Sequence, residues 1–388
     1  MRLLLVMPKV VSYRSFLREL CASLTADGVD VHIACSREEL WGDDDSATED
    51  GVALHAIEFP RGMNPAGHRR AARELNRLVE ELRPDVIHAH VSAAIFTTAL
   101  ARTAQWPATL AMFHGVSFLA MSGWKSVLLR FAETWAARRF DAVWVLTDDD
   151  MRGLRKAARM TEVHRLPGFG VGCDLTRFAP ASASEREELR SGLGIKPHEV
   201  VFTFVGRFTD FKGFGLAARA FLTVAAANPD ARLLLVGSRD SIHPTGLTET
   251  EENALIGCSR VIDAGYRHDV ESCLAAADVM VFPSRREGMA VCIMEALAMG
   301  VPVITGDARG CRDVVRDGVD GLVLRDFTPG TLVDAMQRLA TDSTLRQRFA
   351  ASAVADRDRF SREHFITAQK AIYETFTPAQ HSGAVTHA

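Results

Sequence analysis

Two glutamates are the first candidates for chemistry, because they are eight positions apart and flank the start of a predicted helix. Glu287 follows the apolar run 278–284, which predicts a strand ending at Pro283, whereas Glu295 lies among apolar residues with helical spacing. The helix should open near Gly288, at the end of a sheet, where backbone N–H groups attract phosphate. Two carboxylates beside such an opening can accept hydrogen bonds from the hydroxyls of a sugar or a ribose. Paired glutamates are common, so a loop carboxylate and a solvated helix face are the alternative.

A second predicted strand-to-helix turn carries two cations. The apolar strand 200–205 runs into a glycine-bounded turn, and helical spacing resumes after it. Arg207 and Lys212 flank this turn at the carboxyl edge of the predicted sheet. An arginine fork and a lysine point charge could clamp a pyrophosphate there, although two solvated surface cations are the alternative. The spacing of a Walker loop is missing, so the turn predicts a different kind of phosphate site.

Composition narrows the class of protein. A chain of 388 residues predicts two domains, and a hydrophobic content of 47% suffices for two cores. The net charge of -4 gives no case for nucleic acid, whose protein partners usually present a basic face. The seven cysteines are scattered without a C-x-x-C pair, which indicates reduced thiols and a cytoplasmic location. No apolar run approaches the length of about 18 residues that would predict a membrane-spanning helix.

Strands and helices alternate along the chain, which predicts an α/β protein with doubly wound parallel sheets covered by helices on both faces. The alternation restarts near position 200, after the Pro/Ala/Ser-rich linker 178–184. A polar tail follows the last helical pattern, and we expect it to be disordered. The predicted segments are a first domain over 1–180, a second domain over 181–362, a last helix over 363–376 and the tail over 377–388.

The ordered set of motifs resembles the family 4 retaining glycosyltransferases of the GT-B fold. The motifs that carry the resemblance are the E-x7-E segment 287–295, the Gly-Arg…Lys-Gly turn 206–213, the segment 310–321 and looser matches at 113–115, 166–178 and 265–270. The resemblance spans roughly residues 1 to 375. It implies two Rossmann-like domains that face each other across a cleft, with an acceptor-binding first domain, a donor-binding second domain and a last helix that crosses back to the first.

The resemblance also implies a donor and its contacts. The donor would be a nucleotide-activated hexose or N-acetylhexosamine, with UDP as the carrier. Glu295 would hold the ribose, Glu287 would hold hydroxyls of the transferred sugar, and His114 would face the donor sugar and phosphate. The residues implied in donor binding are Arg207, Lys212, Arg267, Gly288, Met289, Ala290 and Glu295, and those implied in catalysis are His114, Arg207, Lys212 and Glu287.

The implied reaction is transfer to an acceptor hydroxyl with retention of anomeric configuration, and it requires no metal or other cofactor. Cations and helix N–H groups would stabilise the leaving diphosphate. The departing phosphate would take the acceptor proton, and Glu287 would not act as a covalent nucleophile. Two alternatives keep the same phosphate clamp: a GT-B epimerase that acts on a UDP-sugar without an acceptor, and a non-catalytic nucleotide-sugar binding module.

One segment departs from the family pattern. The family often has a glycine pair after the first strand, whereas this chain has bulkier residues in that loop. We therefore predict acceptor contacts for Lys9, Ser12 and Tyr13. The first-domain motifs lean towards transferases of bacterial surface polysaccharide or lipid-linked oligosaccharide assembly, so the acceptor could be lipid-linked, a saccharide or a small molecule.

Two further groups could be considered as metal ligands. The acidic run 148–150 begins a predicted helix, so Asp148 or Asp149 is better explained as a helix cap. His88 and His90 alternate at the end of a predicted strand, and no third metal ligand is identifiable, so we expect structural roles for both. The sequence therefore predicts no metal site.

An aromatic and basic helix is predicted from Trp124 to Arg139. It combines aromatic residues such as Phe131 with cations such as Lys125 and Arg130. Such a helix could rest on an anionic membrane, which would place the protein peripherally on the inner face of that membrane. The alternative is a packed helix with a solvated cationic side.

Overall fold

The computed structural model of this chain describes residues 1–37, 46–60, 62, 64–160, 162–326 and 328–376. The chain forms two compact units, one of Met1–Pro167 together with the segment from Phe365, and one of Gly168–His364. The predicted tail 377–388 lies outside the described residues. No helix in the described part of the chain combines the length and the hydropathy that a bilayer crossing requires.

The first unit is built on one sheet. Its strands are β1 (Arg2–Lys9), β2 (Asp30–Ser36), β3 (Ser46–Glu49), β4 (Val52–Ala56), β5 (Val86–His90), β6 (Ala108–Phe113), β7 (Ala142–Val145) and β8 (Val163–Arg165). Among the described residues their order is β3-β4-β2-β1-β5-β6-β7-β8, and each neighbouring pair is parallel except β3 with β4. Helices cover both faces, which explains the continuous apolar runs of β1 and β6. Leu4 on β1, Ile87 on β5 and Ala111 on β6 are fully buried.

The helices of the first unit follow its strands along the chain. They are α1 (Val10–Phe16), α2 (Arg18–Ala26), α3 (Pro65–Leu82), α4 (Ser92–Ala101), α5 (Gly123–Ala137) and α6 (Asp148–Ala158). Local signals set their ends. For α3, the side chain of Asn64 accepts a hydrogen bond from the N–H of Gly67 and Pro65 occupies the first helical position, both of which favour a helix start.

The second unit contains a fully parallel sheet. Its strands are β9 (Val200–Val205), β10 (Ala231–Val236), β11 (Val261–Asp263), β12 (Val279–Phe282), β13 (Val303–Gly306) and β14 (Gly321–Leu324). Within the described residues their order is β11-β10-β9-β12-β13-β14. The chain order reverses between β9 and β12, and ligands of open α/β sheets bind beside such a reversal. The prediction of two doubly wound, parallel-sheet α/β domains is confirmed.

The helices of the second unit connect these parallel strands. They are α7 (Ala183–Gly192), α8 (Phe214–Ala227), α9 (Glu249–Ile256), α10 (Val270–Ala276), α11 (Val291–Ala298), α12 (Pro329–Thr341) and α13 (Ser343–Ala355). Gly300 follows the end of α11 with φ of +76°, as expected for a glycine that terminates a helix.

The second unit begins earlier in the chain than the predicted boundary near 180. Its first residue is Gly168, because the segment that follows packs on the end of the same unit. Cys173 pairs with Ser361 in a parallel bridge, and the guanidinium of Arg357 donates a hydrogen bond of 2.6 Å to the carbonyl of Leu175. The Pro/Ala/Ser-rich linker is therefore part of the second unit.

The last helix, α14 (Arg362–Phe376), belongs to the first unit from Phe365 onwards. The hydroxyl of Tyr373 lies 2.9 Å from Nδ1 of His88 on β5. Both side chains are almost fully buried, so this contact ties the end of the described chain to the centre of the first sheet.

Candidate functional site

Three loops follow neighbouring strands at the carboxyl edge of the second sheet. We call them the β9 loop (206–213), the β12 loop (283–290) and the β13 loop (307–313). The β9 and β12 loops lie on either side of the point where the strand order reverses. These loops contain most of the residues predicted to bind a donor.

An aromatic cluster fixes both ends of the β9 loop on the sheet. The rings of Phe208 and Phe214 stack with their centroids 4.5 Å apart. Phe204 on β9 packs against Phe214 at 5.5 Å and against Phe282 at the end of β12 at 5.8 Å. All four side chains are buried, and burial of a phenylalanine stabilises a fold by about 1.5–3 kcal/mol.

Gly213 brings the β9 loop into backbone contact with the β12 loop. A Cβ atom at this position would lie 2.1 Å from the carbonyl oxygen of Pro283, and φ is +77°, so only glycine fits. The N–H of Arg285 donates a hydrogen bond of 2.9 Å to the carbonyl of Phe211, and Oγ of Ser284 lies 3.2 Å from the same oxygen. The two loops are therefore held as one structure.

This contact places Lys212 beside Glu287. The Nζ atom of Lys212 lies 2.6 Å from Oε1 and 2.8 Å from Oε2 of Glu287. The hydroxyl of Ser284 also donates to Oε1 of Glu287, at 2.7 Å. The lysine and glutamate side chains are only 20% and 10% exposed, so both groups are preorganised in a partly dry environment.

Arg207 has a more open position than Lys212. Its guanidinium is 53% exposed, forms a close ion pair with Asp240 and lies over the ring of Phe211. A hydrogen bond of 2.8 Å from the N–H of Ile242 is the largest influence that lowers the pKa of Asp240 to about 2. The two predicted phosphate cations thus lie on one loop, but each is paired with a different carboxylate.

The β13 loop packs on the β12 loop through two glycines. A Cβ atom on Gly310 would lie 2.6 Å from the carbonyl oxygen of Gly288, and the N–H of Ala290 donates a hydrogen bond of 2.9 Å to the carbonyl of Gly310. The helix α11 begins at Val291 and not near Gly288, and Ala290 before it has extended backbone. Of the three backbone groups predicted to bind phosphate, the N–H of Ala290 is already occupied.

Other backbone groups at this helix start remain available. Within the described residues, no hydrogen-bond acceptor is present for the N–H groups of Gly288, Met289, Val291 and Cys292. Unpaired N–H groups at the start of a helix favour an anion. This donor set differs from the predicted set because it extends into the first turn of α11.

Glu295 lies on α11 and is partly buried. Burial raises the pKa of Glu295 to about 7. The positive charges of Arg177 and Arg362 act to lower this pKa, and the negative charge of Glu271 acts to raise it further. The carboxyl group has no hydrogen-bond partner among the described residues. It is therefore available to a ligand, and it is partly protonated near neutral pH.

Arg267 lies apart from the three loops. Its guanidinium forms hydrogen bonds of 2.8 and 2.6 Å with the carboxylate of Asp269. It lines a cavity of about 820 Å³ together with Arg177 and Glu271, and no residue of the three loops lines that cavity. Arg267 thus lines a cavity that the three loops do not line, although Arg267, Lys212 and Glu287 were all predicted to bind the donor.

His114 follows β6 in the first unit. Its Nε2 atom lies 3.1 Å from Nδ1 of His90, and burial lowers the pKa of His114 to about 4. The imidazole is therefore neutral near pH 7.

The predicted acceptor residues lie where β1 passes into α1. Lys9 and Ser12 are partly exposed, whereas Tyr13 is fully buried. Burial raises the pKa of Tyr13 above its usual value, and its hydroxyl has no partner among the described residues. A buried phenol does not reach an acceptor at the surface, so this structure gives Tyr13 a core position and leaves Lys9 and Ser12 as the accessible pair.

Two family models match most of the chain. The model described as "Glycosyl transferase 4-like domain" matches residues 13–168, and the model described as "Glycosyl transferases group 1" matches residues 199–342. The chain is a family 4 glycosyltransferase of the GT-B fold. The family and the fold that the motifs implied are confirmed.

Curated relatives and solved structures agree with this assignment. The glycosyltransferase is 28% identical over 279 residues to UDP-Gal:alpha-D-GlcNAc-diphosphoundecaprenol alpha-1,3-galactosyltransferase of Escherichia coli, with 70% of each chain covered. It superposes on HepE of Anabaena in complex with UDP and glucose with a TM-score of 0.77, at 19% identity over 97% of this chain and 99% of the other. WaaG, a glycosyltransferase involved in lipopolysaccharide biosynthesis, gives a TM-score of 0.73 at 19% identity over 97% and 100%. At such identities the two structures show the shared fold.

The acidic run 148–150 of this glycosyltransferase begins a helix as predicted, but the residue that caps the helix differs from the prediction. The side chain of Thr147, not that of Asp148 or Asp149, caps α6 by accepting a hydrogen bond from the N–H of Asp150. Asp150 is fully buried and accepts a hydrogen bond of 3.0 Å from the N–H of Val116. Its carboxylate thus fixes the loop that follows His114.

Some residues of the site were missed by sequence reasoning. The hydroxyl of Ser284 donates a hydrogen bond to Glu287. The carbonyl of Gly310 accepts a hydrogen bond from the N–H of Ala290. The positive charge of Arg177 lies near the carboxyl group of Glu295. The glycine of the Gly310–Cys311 step was a visible signal for a close backbone approach. The sequence contained no signal for Ser284. Arg177 lies in the family-like segment 166–178, but its position near Glu295 is created only by the fold.

Proposed function

We propose that this glycosyltransferase moves a hexose or N-acetylhexosamine from a UDP-sugar to an acceptor hydroxyl, with retention of anomeric configuration and without a metal. In this proposal the second unit binds the donor and the first unit binds the acceptor. The name of the Escherichia coli relative, which specifies UDP-Gal, and the UDP complex of HepE support UDP as the carrier. The observation that carries the proposal is the ion pair of Lys212 and Glu287 at the start of α11.

Both Lys212 and Glu287 keep hydrogen-bonding capacity that a nucleotide-sugar can use. An ammonium group has three N–H donors, and two of those of Lys212 are directed at Glu287, so the third can bind a phosphate oxygen. A carboxylate has about four acceptor positions, and Lys212 with Ser284 uses only part of them. The remaining acceptor position, on Oε2 of Glu287, can accept a hydrogen bond from a hydroxyl of the transferred sugar.

The chemistry breaks the bond between the anomeric carbon and the phosphate oxygen, which leaves negative charge on the diphosphate. Lys212, Arg207 and the unpaired N–H groups from Gly288 to Cys292 would stabilise this charge. Arg207 is exposed and can exchange Asp240 for a phosphate. Glu295 would hold the ribose hydroxyls, and its pKa near 7 means that it can do so as a carboxylate or as a carboxyl group.

Retention would follow from attack on the same face from which the diphosphate leaves. The transition state would resemble an oxocarbenium ion, and the departing phosphate would take the proton of the acceptor hydroxyl. Glu287 is engaged by Lys212 and Ser284, which suits a binding role and not a covalent nucleophile. His114 is neutral and would contact the donor sugar or phosphate.

We propose that the acceptor is a lipid-linked saccharide of surface-polysaccharide assembly. The protein would be cytoplasmic and would bind this acceptor at the inner face of a membrane. Trp124, Val127 and Phe131 on α5 are each about 70% exposed and follow helical spacing. Lys125 and Arg130 are exposed on the same helix. The buried residues of α5 all lie within 133–137, so the helix is packed at its C-terminal end and apolar on its outer face, which suits an anionic lipid surface.

The test is a transfer assay with purified protein, a panel of UDP-sugars and a panel of lipid-linked and free saccharide acceptors, in the presence of EDTA. The proposal predicts acceptor-dependent release of UDP and a product whose anomeric proton has the configuration of the donor sugar. Consumption of UDP-sugar without an acceptor would instead indicate the epimerase, and donor binding without turnover would indicate the binding module. An inverted product would contradict retention.

A further inference from the structure

Three histidines of the first unit form a row of close contacts, and two of them are fully buried. Nδ1 of His90 lies 3.1 Å from Nε2 of His114, and the ring centroids of His88 and His90 are 4.1 Å apart. The hydroxyl of Tyr373 closes the far end of the row at 2.9 Å from Nδ1 of His88. His88 and His90 are fully buried, so bulk water does not complete their hydrogen bonds.

All three histidines are neutral near pH 7. Burial lowers the pKa of His114 to about 4 and that of His88 to about 3, and it holds the pKa of His90 well below the usual value. A neutral imidazole carries one N–H, so one of its two nitrogens donates and the other accepts. In the contact between His90 and His114, one ring must therefore donate to the other.

The other nitrogen of His90 decides which ring donates. Nε2 of His90 is buried and has no hydrogen-bond partner among the described residues. A proton on that atom would leave a buried N–H unpaired, at a cost of about 1–3 kcal/mol. Buried donors without partners are rarer in proteins than buried acceptors without partners. The proton of His90 is therefore on Nδ1, and His90 donates to Nε2 of His114.

We propose that His90 is a positioning residue that fixes His114 in the tautomer with its proton on Nδ1. Because Nε2 of His114 accepts, its Nδ1 must carry the N–H, and this atom has no acceptor among the described residues. His114 then offers a hydrogen-bond donor to an oxygen of the donor sugar or phosphate, and it does not act as the base for the acceptor hydroxyl. The role in transfer rests on the proposed function, whereas the tautomer does not.

The tautomer can be measured directly in the full chain. Long-range ¹⁵N–¹H correlation spectra of protein labelled in its histidines distinguish the two tautomers, and His114→Gln assigns the signal. We expect the Nδ1–H tautomer for His114 in the wild type. His90→Asn keeps an amide donor at the position of Nδ1 and should keep this tautomer. His90→Asp offers only acceptors and should move the proton of His114 to Nε2.

Activity should follow the tautomer. His90→Asp should lower kcat about tenfold or more, since the loss of one hydrogen bond in the transition state is worth about one factor of ten, whereas His90→Asn should stay within a few-fold of the wild type. Thr97→Val is the matched control, because it removes a hydrogen bond of 2.8 Å to another buried histidine of the unit, His68. This control should leave the signal of His114 unchanged.

The Nε2–H tautomer of His114 in the wild type would overturn the proposal, whatever the activity. Full activity of a folded His90→Asp variant would overturn the positioning role. If His90→Asp does not fold, the wild-type spectrum and the His90→Asn variant still decide the tautomer. A wild type that shows the Nδ1–H tautomer but transfers no sugar would contradict the proposed function alone.

Discussion

Lys212 and Glu287 are 75 residues apart in the chain, and the side chain of the lysine donates to both carboxylate oxygens of the glutamate, at 2.6 and 2.8 Å. The contact joins the loop that follows β9 to the loop that follows β12, at the reversal of strand order in the second sheet. It places the cation proposed for the diphosphate next to the carboxylate proposed for the sugar. Both halves of the donor would therefore contact one preorganised pair.

Replacement of Lys212 should affect turnover strongly. In Lys212→Ala, the leaving diphosphate loses a charged donor in a partly dry site, and the analogous loss of one oxyanion donor costs 10²-fold or more in kcat, in order of magnitude. Initial rates of UDP release at saturating donor measure the effect. Arg285→Ala is the matched control, because Arg285 is an exposed cation on the β12 loop that pairs with Asp210. Equal losses in the two variants would point to general attraction of the donor and would contradict a specific contact of Lys212.

Because the β9 and β12 loops approach closely at Gly213, we expect a larger side chain there to lower the free energy of unfolding. Gly213→Ala places a Cβ atom 2.1 Å from the carbonyl oxygen of Pro283 at φ of +77°. The variant should lose on the order of 3 kcal/mol of unfolding free energy and should bind UDP weakly, because strain and clash both act there. Urea unfolding and calorimetry measure the two effects.

Gly194→Ala is the control that separates the effect of backbone strain at positive φ from the effect of a steric clash. Gly194 has φ of +69°, and no atom lies within 4 Å of the position that a Cβ atom would take there. Its replacement should therefore cost only about 1–2 kcal/mol of unfolding free energy and leave UDP affinity unchanged. Similar losses of stability in the two alanine variants would show that the contact with Pro283 is not tight.

The raised pKa of Glu295 predicts a dependence of stability on pH. Between its ordinary pKa of 4.5 and the folded value of about 7, the folded carboxyl group holds a proton that the unfolded group has released. The unfolding free energy of the wild type should therefore fall as pH rises through this window, relative to Glu295→Gln, by on the order of 3 kcal/mol in total. Urea unfolding of both proteins from about pH 4 to pH 8 measures the difference. A difference that is constant over this range would contradict the raised pKa.

The outer face of α5 predicts binding to anionic lipid. The double variant Trp124→Ser and Phe131→Ser should lose most of the sedimentation with phosphatidylglycerol vesicles that the wild type shows at low salt, because both side chains are about 70% exposed on one face. Ile256→Ser is the matched control, since Ile256 is 73% exposed but lies in the second unit. Unchanged binding by the double variant, or no binding by the wild type, would contradict the membrane surface.

The sequence predicted the fold well wherever burial produces a long apolar pattern. The runs of β1, β9 and β12 are buried on both faces, so their composition alone marks them as strands. The short strand β3 (Ser46–Glu49) has no such run, and it was not predicted. The start of the second compact unit at Gly168 could not be read from the sequence, because contacts such as that of Arg357 with Leu175 join distant parts of the chain.

The details of the site depended on contacts of the same long-range kind. Helical spacing located α11, but it did not show that the helix starts at Val291 or that the carbonyl of Gly310 accepts a hydrogen bond from the N–H of Ala290. The spacing of Lys212 and Glu287 in the sequence likewise does not indicate their ion pair. Residue types and order therefore identified the family and its candidate residues, whereas the pairing of these residues required the fold.

A crystal structure of the protein with UDP tests the central claim most directly. The account predicts a β-phosphate oxygen within about 3 Å of Nζ of Lys212 and of an N–H group in the first turn of α11, with the Lys212–Glu287 contact retained. A nucleotide bound elsewhere, with Lys212 making no phosphate contact, would contradict the account.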